Sequence, residues 1–151
     1  MKKFLSVRAH DSRSVLLVAE GRPGLVARRS VLEDLGCEVT TAPGAAEGLA
    51  LFAANHYDLV VTDHKLPKMD GIAFIKAIRT ISRSAPVILL ATFPEQLGLD
   101  EESTGANVVI AKVVNEVSQL GRAVAKYIGR RTAMKPPQSQ RAPAGIRSKT
   151  L

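Results

Sequence analysis

Five short runs rich in apolar or β-branched residues punctuate the chain: Ser14–Ala19, Glu38–Thr41, Asp58–Asp63, Val87–Ala91 and Val108–Ala111. Helix-forming segments separate them. A run such as Leu59-Val-Val-Thr62, apolar at odd and even positions alike, suits a strand buried on both faces, as in a parallel sheet. Strand and helix alternating five times predict an α/β fold. Its centre is a five-stranded parallel sheet with right-handed crossovers and helices on both faces.

The helical segments follow from local chemistry. Pro23 suits a first helical turn, and that helix reads to about Leu35, with Gly36 placed to cap it. Leu25, Val31, Leu32 and Leu35 are its apolar positions, with Arg28, Arg29, Glu33 and Asp34 expected outside. Ala45 to about Asn55 is rich in alanine and leucine. Ile72 to Ser82 carries Ile72, Ile75, Ile78 and Ile81 at three-residue spacing. Residues 93–104, with Pro94, Gly98, Asp100, Glu101 and Glu102, predict no more than a short helix. The last helix reads from Asn115 as N-cap, with Glu116 near the positive helix end and Val117, Leu120, Val124 and Ile128 as its inner stripe.

The net charge of +7 sits at the ends. Residues 1–13 carry +3 and residues 130–151 carry +6, the latter without one acidic side chain, whereas residues 14–129 carry −2. The basic balance therefore says little about the folded part. After Gly129 the chain holds three prolines and few large apolar groups, a composition that predicts disorder. No apolar run is long enough to span a bilayer, and polar residues interrupt the start of the chain too early for a secretion signal, so a cytoplasmic location is expected. The single cysteine, Cys37, excludes an internal disulfide and reads as a buried strand thiol.

Residues 58–71 concentrate the chemistry. Asp63 closes the third apolar run, and open α/β sheets place their ligand crevice outside the carboxyl ends of the strands. Pro67 and Asp70-Gly71 shape the loop behind it. The pattern Asp63-x-x-Leu66-Pro67-x-Met69-Asp70-Gly71 resembles the phosphoacceptor strand and loop of bacterial two-component response-regulator receiver domains, with six identities at fixed spacing. The resemblance covers about residues 14–130. It leaves 1–13 as an N-terminal extension and 131–151 as a basic tail. It implies a flavodoxin-like (βα)5 three-layer sandwich.

The resemblance also assigns roles. Asp63 matches the phosphoacceptor, and Lys112, closing the fifth run after Gly105-Ala106, matches the lysine that faces the acidic pocket. Mg2+ would be held by Glu20, Asp63 and the backbone carbonyl of Lys65. The chain departs from the pattern in three places. Ala19-Glu20 stands where receivers have two adjacent acids, which weakens the metal site or removes it. Ala91 stands at the position of the phosphoryl-binding Ser/Thr, and Thr92, one residue on, could replace it only through a bulge. Val109 stands at the position of the switch aromatic. Ala91, Thr92 and Val109 together imply that the family's switch pair is missing.

The implied function is non-enzymatic. A single receiver accepts a phosphoryl group on Asp63 from a sensor histidine kinase or phosphotransfer protein and signals to a downstream protein by contact. The alternative is a pseudo-receiver that works as an interaction module without phosphorylation. A haloacid-dehalogenase-like phosphatase would need a second aspartate where Lys65 stands, and Gly21-Arg-Pro-Gly24 does not make a dinucleotide-binding turn. The basic tail would give at most nonspecific, salt-sensitive contacts with anionic surfaces.

Overall fold

The computed structural model describes residues 13–113 and 115–129. The extension before Arg13 and the basic tail lie outside the described residues. Five strands and five helices alternate: β1 (Arg13–Val18), α1 (Arg22–Asp34), β2 (Cys37–Ala42), α2 (Ala45–Ala54), β3 (Leu59–Asp63), α3 (Gly71–Ile81), β4 (Val87–Ala91), α4 (Glu101–Thr104), β5 (Val108–Ala111) and α5 (Glu116–Val124). A π-helical turn, Ala125–Gly129, continues α5. The sheet is parallel throughout, in the order β2-β1-β3-β4-β5. The flavodoxin-like architecture expected from the sequence is therefore the observed one.

The apolar runs are continuous because each strand feeds two cores. Leu16, Val18, Val60, Val87 and Leu89 pack with Phe52, Phe74, Ile75 and Ile78 on the α2/α3 face. Val15, Leu17, Leu59, Val61, Ile88, Leu90 and Ile110 pack with Leu32, Leu120, Val124 and Ile128 on the α1/α5 face. Side chains alternate along a strand, so parity assigns each residue to a face. Asp63 has the parity of Leu59 and Val61, which places it toward α1 and α5.

Three helical faces differ from the sequence expectation. The buried row of α3 is Gly71, Phe74, Ile75 and Ile78, while Ile81 is half exposed. A strict three-residue spacing drifts around a helix of 3.6 residues per turn, so the fourth isoleucine leaves the core. In α5, Leu120, Val124 and Ile128 are buried but Val117 is exposed. The inward row runs at four-residue spacing, 116-120-124-128, and its first member is Glu116. In α1, Arg28 was expected outside and is buried, at 7% exposure. It lies one turn before Leu32 on the same row. Asn115 occupies the N-cap position of α5 without a side-chain cap; its Oδ1 accepts from Gln119 Nε2 at 2.7 Å instead.

The loops at the carboxyl edge of the sheet are held by specific bonds. Asp70 caps α3 by accepting from the Ala73 amide at 3.0 Å. The Gly71 amide donates to the His64 carbonyl at 2.7 Å and the Met69 amide to the Pro67 carbonyl at 2.7 Å. The latter three-residue turn places Lys68 at φ 68°, a left-handed conformation that costs energy for a residue with a Cβ.

Candidate functional site

β3 ends at Asp63, which is 2% exposed. Its backbone is fixed on both sides: β1 and β3 pair up to Val18 with Thr62, and the His64 amide donates to the Leu90 carbonyl at 2.8 Å. β5 ends one residue before Lys112, whose amide continues the ladder to the Ala91 carbonyl at 2.8 Å. From there Lys112 Nζ reaches Asp63 Oδ1 at 2.8 Å. The structure thus brings the two residues together across the intervening end of β4.

A second cation shares that oxygen. Arg28 Nη1 donates to Asp63 Oδ1 at 3.2 Å, and Arg28 Nε donates to Glu116 Oε2 at 2.7 Å. The guanidinium therefore bridges the end of β3 and the first turn of α5. Its side chain is 8% exposed, Asp63 3% and Glu116 15%. A buried charge is tolerated only when paired and hydrogen-bonded, and each of these is. Four side chains, from α1, β3, the residue after β5 and α5, make a pocket of two cations and two carboxylates. Among the described residues Asp63 Oδ2 takes part in no ion pair or hydrogen bond.

Arg28 and Glu116 were not among the sequence candidates. Arg28 gave a signal: it falls one turn before Leu32 on the apolar row of α1, an unusual place for a lone charge. Gly24 belongs with it. A Cβ at Gly24 would stand 3.3 Å from Arg28 Nη1 and 3.4 Å from its Cζ, so the missing side chain leaves the channel through which the guanidinium passes.

The remaining candidates fall elsewhere. Glu20 and Lys65 are exposed, and no hydrogen bond or ion pair joins Glu20 to Asp63 among the described residues. Ala19 is buried and its amide donates to the Ala42 carbonyl at 3.1 Å. Ala91 is buried on the α2/α3 face, while Thr92 is exposed past the end of β4. The β4–β5 register runs without interruption from Ile88 with Val108 to Ala91 with Ala111, so no bulge re-aims Thr92. Val109 is partly buried against the α2/α3 core. Cys37 begins β2, and its thiol is pushed up to about 11, by burial first and by the charge of Asp58 second. It is not a nucleophile at neutral pH.

The family profile described as "Response regulator receiver domain" matches residues 15–124. The chain belongs to the response-regulator receiver family. A probable chemotaxis protein CheY of Rhizobium etli is 32% identical over 102 residues, which is 65% of this chain and 79% of that protein. The Escherichia coli transcriptional regulatory protein ZraR is 26% identical over 98 residues, 64% of this chain and 22% of that protein. Among solved structures, the receiver domain of a Pseudomonas aeruginosa sensor histidine kinase superposes with a TM-score of 0.71 at 25% identity, covering 78% of this chain and 98% of that one. Chemotaxis protein CheY4 of Vibrio cholerae gives 0.68 at 27% identity, covering 78% and 99%.

The Pseudomonas receiver is described with a magnesium ion coordinated in its active-site cleft. The residues of this receiver do not fit such an ion. Among the described residues no three acidic, histidine or cysteine side chains gather as ligands. Asp63, the one buried carboxylate at the strand ends among the described residues, already holds two side-chain cations on a single oxygen. A hard divalent ion needs several oxygen ligands, and Ala19 offers none.

Proposed function

We propose that this receiver accepts a phosphoryl group on Asp63 from a sensor histidine kinase or phosphotransfer protein and signals through protein contacts. The observation that supports it is the pairing of Lys112 Nζ with Asp63 Oδ1 at 2.8 Å, at the carboxyl edge of the sheet. Phosphoryl transfer is governed by positioning and by compensation of charge on the transferring group. Asp63 Oδ2, the oxygen that neither cation holds, supplies the electron pair for the new O–P bond. The P–N bond of a phosphohistidine breaks as it forms. Its electron pair stays on the ring nitrogen, which leaves as neutral imidazole once the ring holds one proton. Lys112 offsets charge on the acceptor side. The exposed Glu20 and the Lys65 carbonyl do not complete a magnesium site around Asp63.

The module is a signalling domain of the cytoplasm rather than an enzyme, and residues 131–151 add nonspecific anionic contacts that weaken with salt. Acetyl phosphate should add one phosphoryl group to the intact chain, seen by mass spectrometry. Asp63→Asn should abolish it, a loss of well over about 100-fold in labelling rate, because an amide is not a nucleophile of this kind. Labelling that persists in Asp63→Asn would place the acceptor elsewhere.

A further inference from the structure

Arg28 stands where a cation is needed. It reaches Asp63 Oδ1 at 3.2 Å from the α1/α5 side, while Lys112 reaches the same oxygen at 2.8 Å. Three features show that the place is built for it. Gly24, a poor helix residue one turn earlier, clears the channel for the guanidinium. Glu116 Oε2 grips Nε at 2.7 Å and fixes the plane of the group. Ala19 is next in register after the pairing of Val18 with Thr62, which sets it beside Asp63, and it presents a methyl where an acid would compete for the guanidinium. We propose that the Arg28 guanidinium takes the place of the divalent cation in this pocket, so that charge on Asp63 and on a phosphoryl group carried there is compensated by protein side chains and needs no metal. The proposal rests on the reading of Asp63 as the acceptor.

The charges agree with it. Arg28 and Lys112 balance Asp63 and Glu116, so the pocket is neutral as it stands. A divalent ion would add two positive charges beside a fixed guanidinium. A guanidinium also has donors to spare. It carries five N–H groups and uses two on Asp63 and Glu116, which leaves a planar set matched to phosphoryl oxygens.

The test compares labelling of the full chain by acetyl phosphate in excess EDTA and in Mg2+. Wild type should label at Asp63 at the same rate in both, within about twofold. Arg28→Gln should lose about 10²-fold in EDTA, the usual effect of removing one preorganised donor, and regain rate with Mg2+. Gly24→Leu keeps the arginine but crowds its channel and should show the same turn toward metal dependence; it also serves if Arg28→Gln does not fold. Wild-type labelling that disappears in EDTA and returns with Mg2+ would overturn the proposal and leave the acceptor assignment standing. EDTA labelling undiminished in both variants would also overturn it. If nothing labels under any condition, the acceptor assignment fails, and a Mg2+ titration followed by amide NMR decides the cation's place. Shifts at residues 19–20 and 63–65 only in Arg28→Gln support Arg28 there, and saturable shifts in wild type refute it.

Discussion

A methyl group at Gly71 would overlap the carbonyl oxygen of Asp63 and stand 2.9 Å from the Cα of His64. Both neighbours are backbone, pinned by the ladder to β4 and by the bond from the Gly71 amide to the His64 carbonyl, so neither can yield cheaply. The glycine thus lets the first turn of α3 sit directly on the end of β3, and it sets how closely the Asp70 cap approaches that strand. Gly71→Ala should destabilise the domain by roughly 3 kcal/mol, toward the upper end of overpacking costs. The check is the urea midpoint at constant slope. A loss under about 0.5 kcal/mol, typical of an uninvolved surface site, would show that the loop gives way instead. Gly24 is a different case at the same scale. Its virtual Cβ meets only the guanidinium end of the Arg28 side chain, so a larger residue there displaces that group from its partners rather than the backbone.

At the scale of elements, α4 shows how little sequence can sustain a helix. It has four residues, and Asp100 closes its start by accepting from the Ser103 amide at 2.8 Å while the Ser103 hydroxyl accepts from the Asp100 amide at 3.1 Å. Gly105, at φ 84°, closes its end. The Ser103 amide, and after it the Ser103 hydroxyl, hold the Asp100 carboxyl below its ordinary value of 3.8. A carboxyl depressed by folding adds stability above its unfolded value and loses it as pH falls through the folded one. The cap should therefore be intact at neutral pH and open only below about 3.8. The Ser103 amide shift, followed against pH by NMR, should titrate with a midpoint below that value, and Asp100→Ala should remove the titration. A midpoint at or above 3.8 would mean that the capping box does not persist in solution. Elsewhere Arg79 ties α3 to the entry of β5, donating to the carbonyls of Ala85 at 2.6 Å and Gly105 at 2.9 Å and to Asn107 Oδ1 at 3.0 Å.

Across the whole molecule the question is how a change at Asp63 is felt elsewhere. Ala91 has no hydroxyl to move toward a phosphoryl group, and Val109 is β-branched with few rotamers to exchange. From the sequence this predicts that residues 105–125 would not respond. The structure changes half of that expectation, because Arg28 links Asp63 to Glu116 in the first turn of α5. On the reading proposed above, a phosphoryl group carried on Asp63 would engage the free N–H groups of the guanidinium and re-aim it against Glu116, since a ligand shifts an equilibrium by its differential interactions with the two states. Beryllofluoride, which mimics the acyl phosphate, should therefore shift amides at 24–28, 63–66 and 115–119 and leave those of 87–90 and 108–110 nearly still. Glu116→Gln should abolish the α5 part alone. Shifts that run through β4 and β5 with α5 unmoved would show that the signal takes the strand route in spite of Ala91 and Val109.

The fold was legible because periodicity is a local property. Short runs apolar at both parities, rich in β-branched residues and bounded by breakers, suit strands with a core on each face, and their alternation with helical segments points to a parallel sheet. Asp63 and Lys112 were legible because strand ends are, and a parallel sheet brings its strand ends to one edge. Arg28 and Glu116 were not, although Arg28 lay on the apolar row of α1 and Glu116 headed that of α5. A charge is assigned to solvent by default, since burying it alone is costly. What cancels that cost here is a pair of partners 35 and 88 residues further along the chain, on β3 and α5. Only the packing of both helices on one face of the sheet brings these partners together. The sequence by itself therefore determined the scaffold and the carboxylate at the end of β3, and the tertiary structure decided which cations that carboxylate meets.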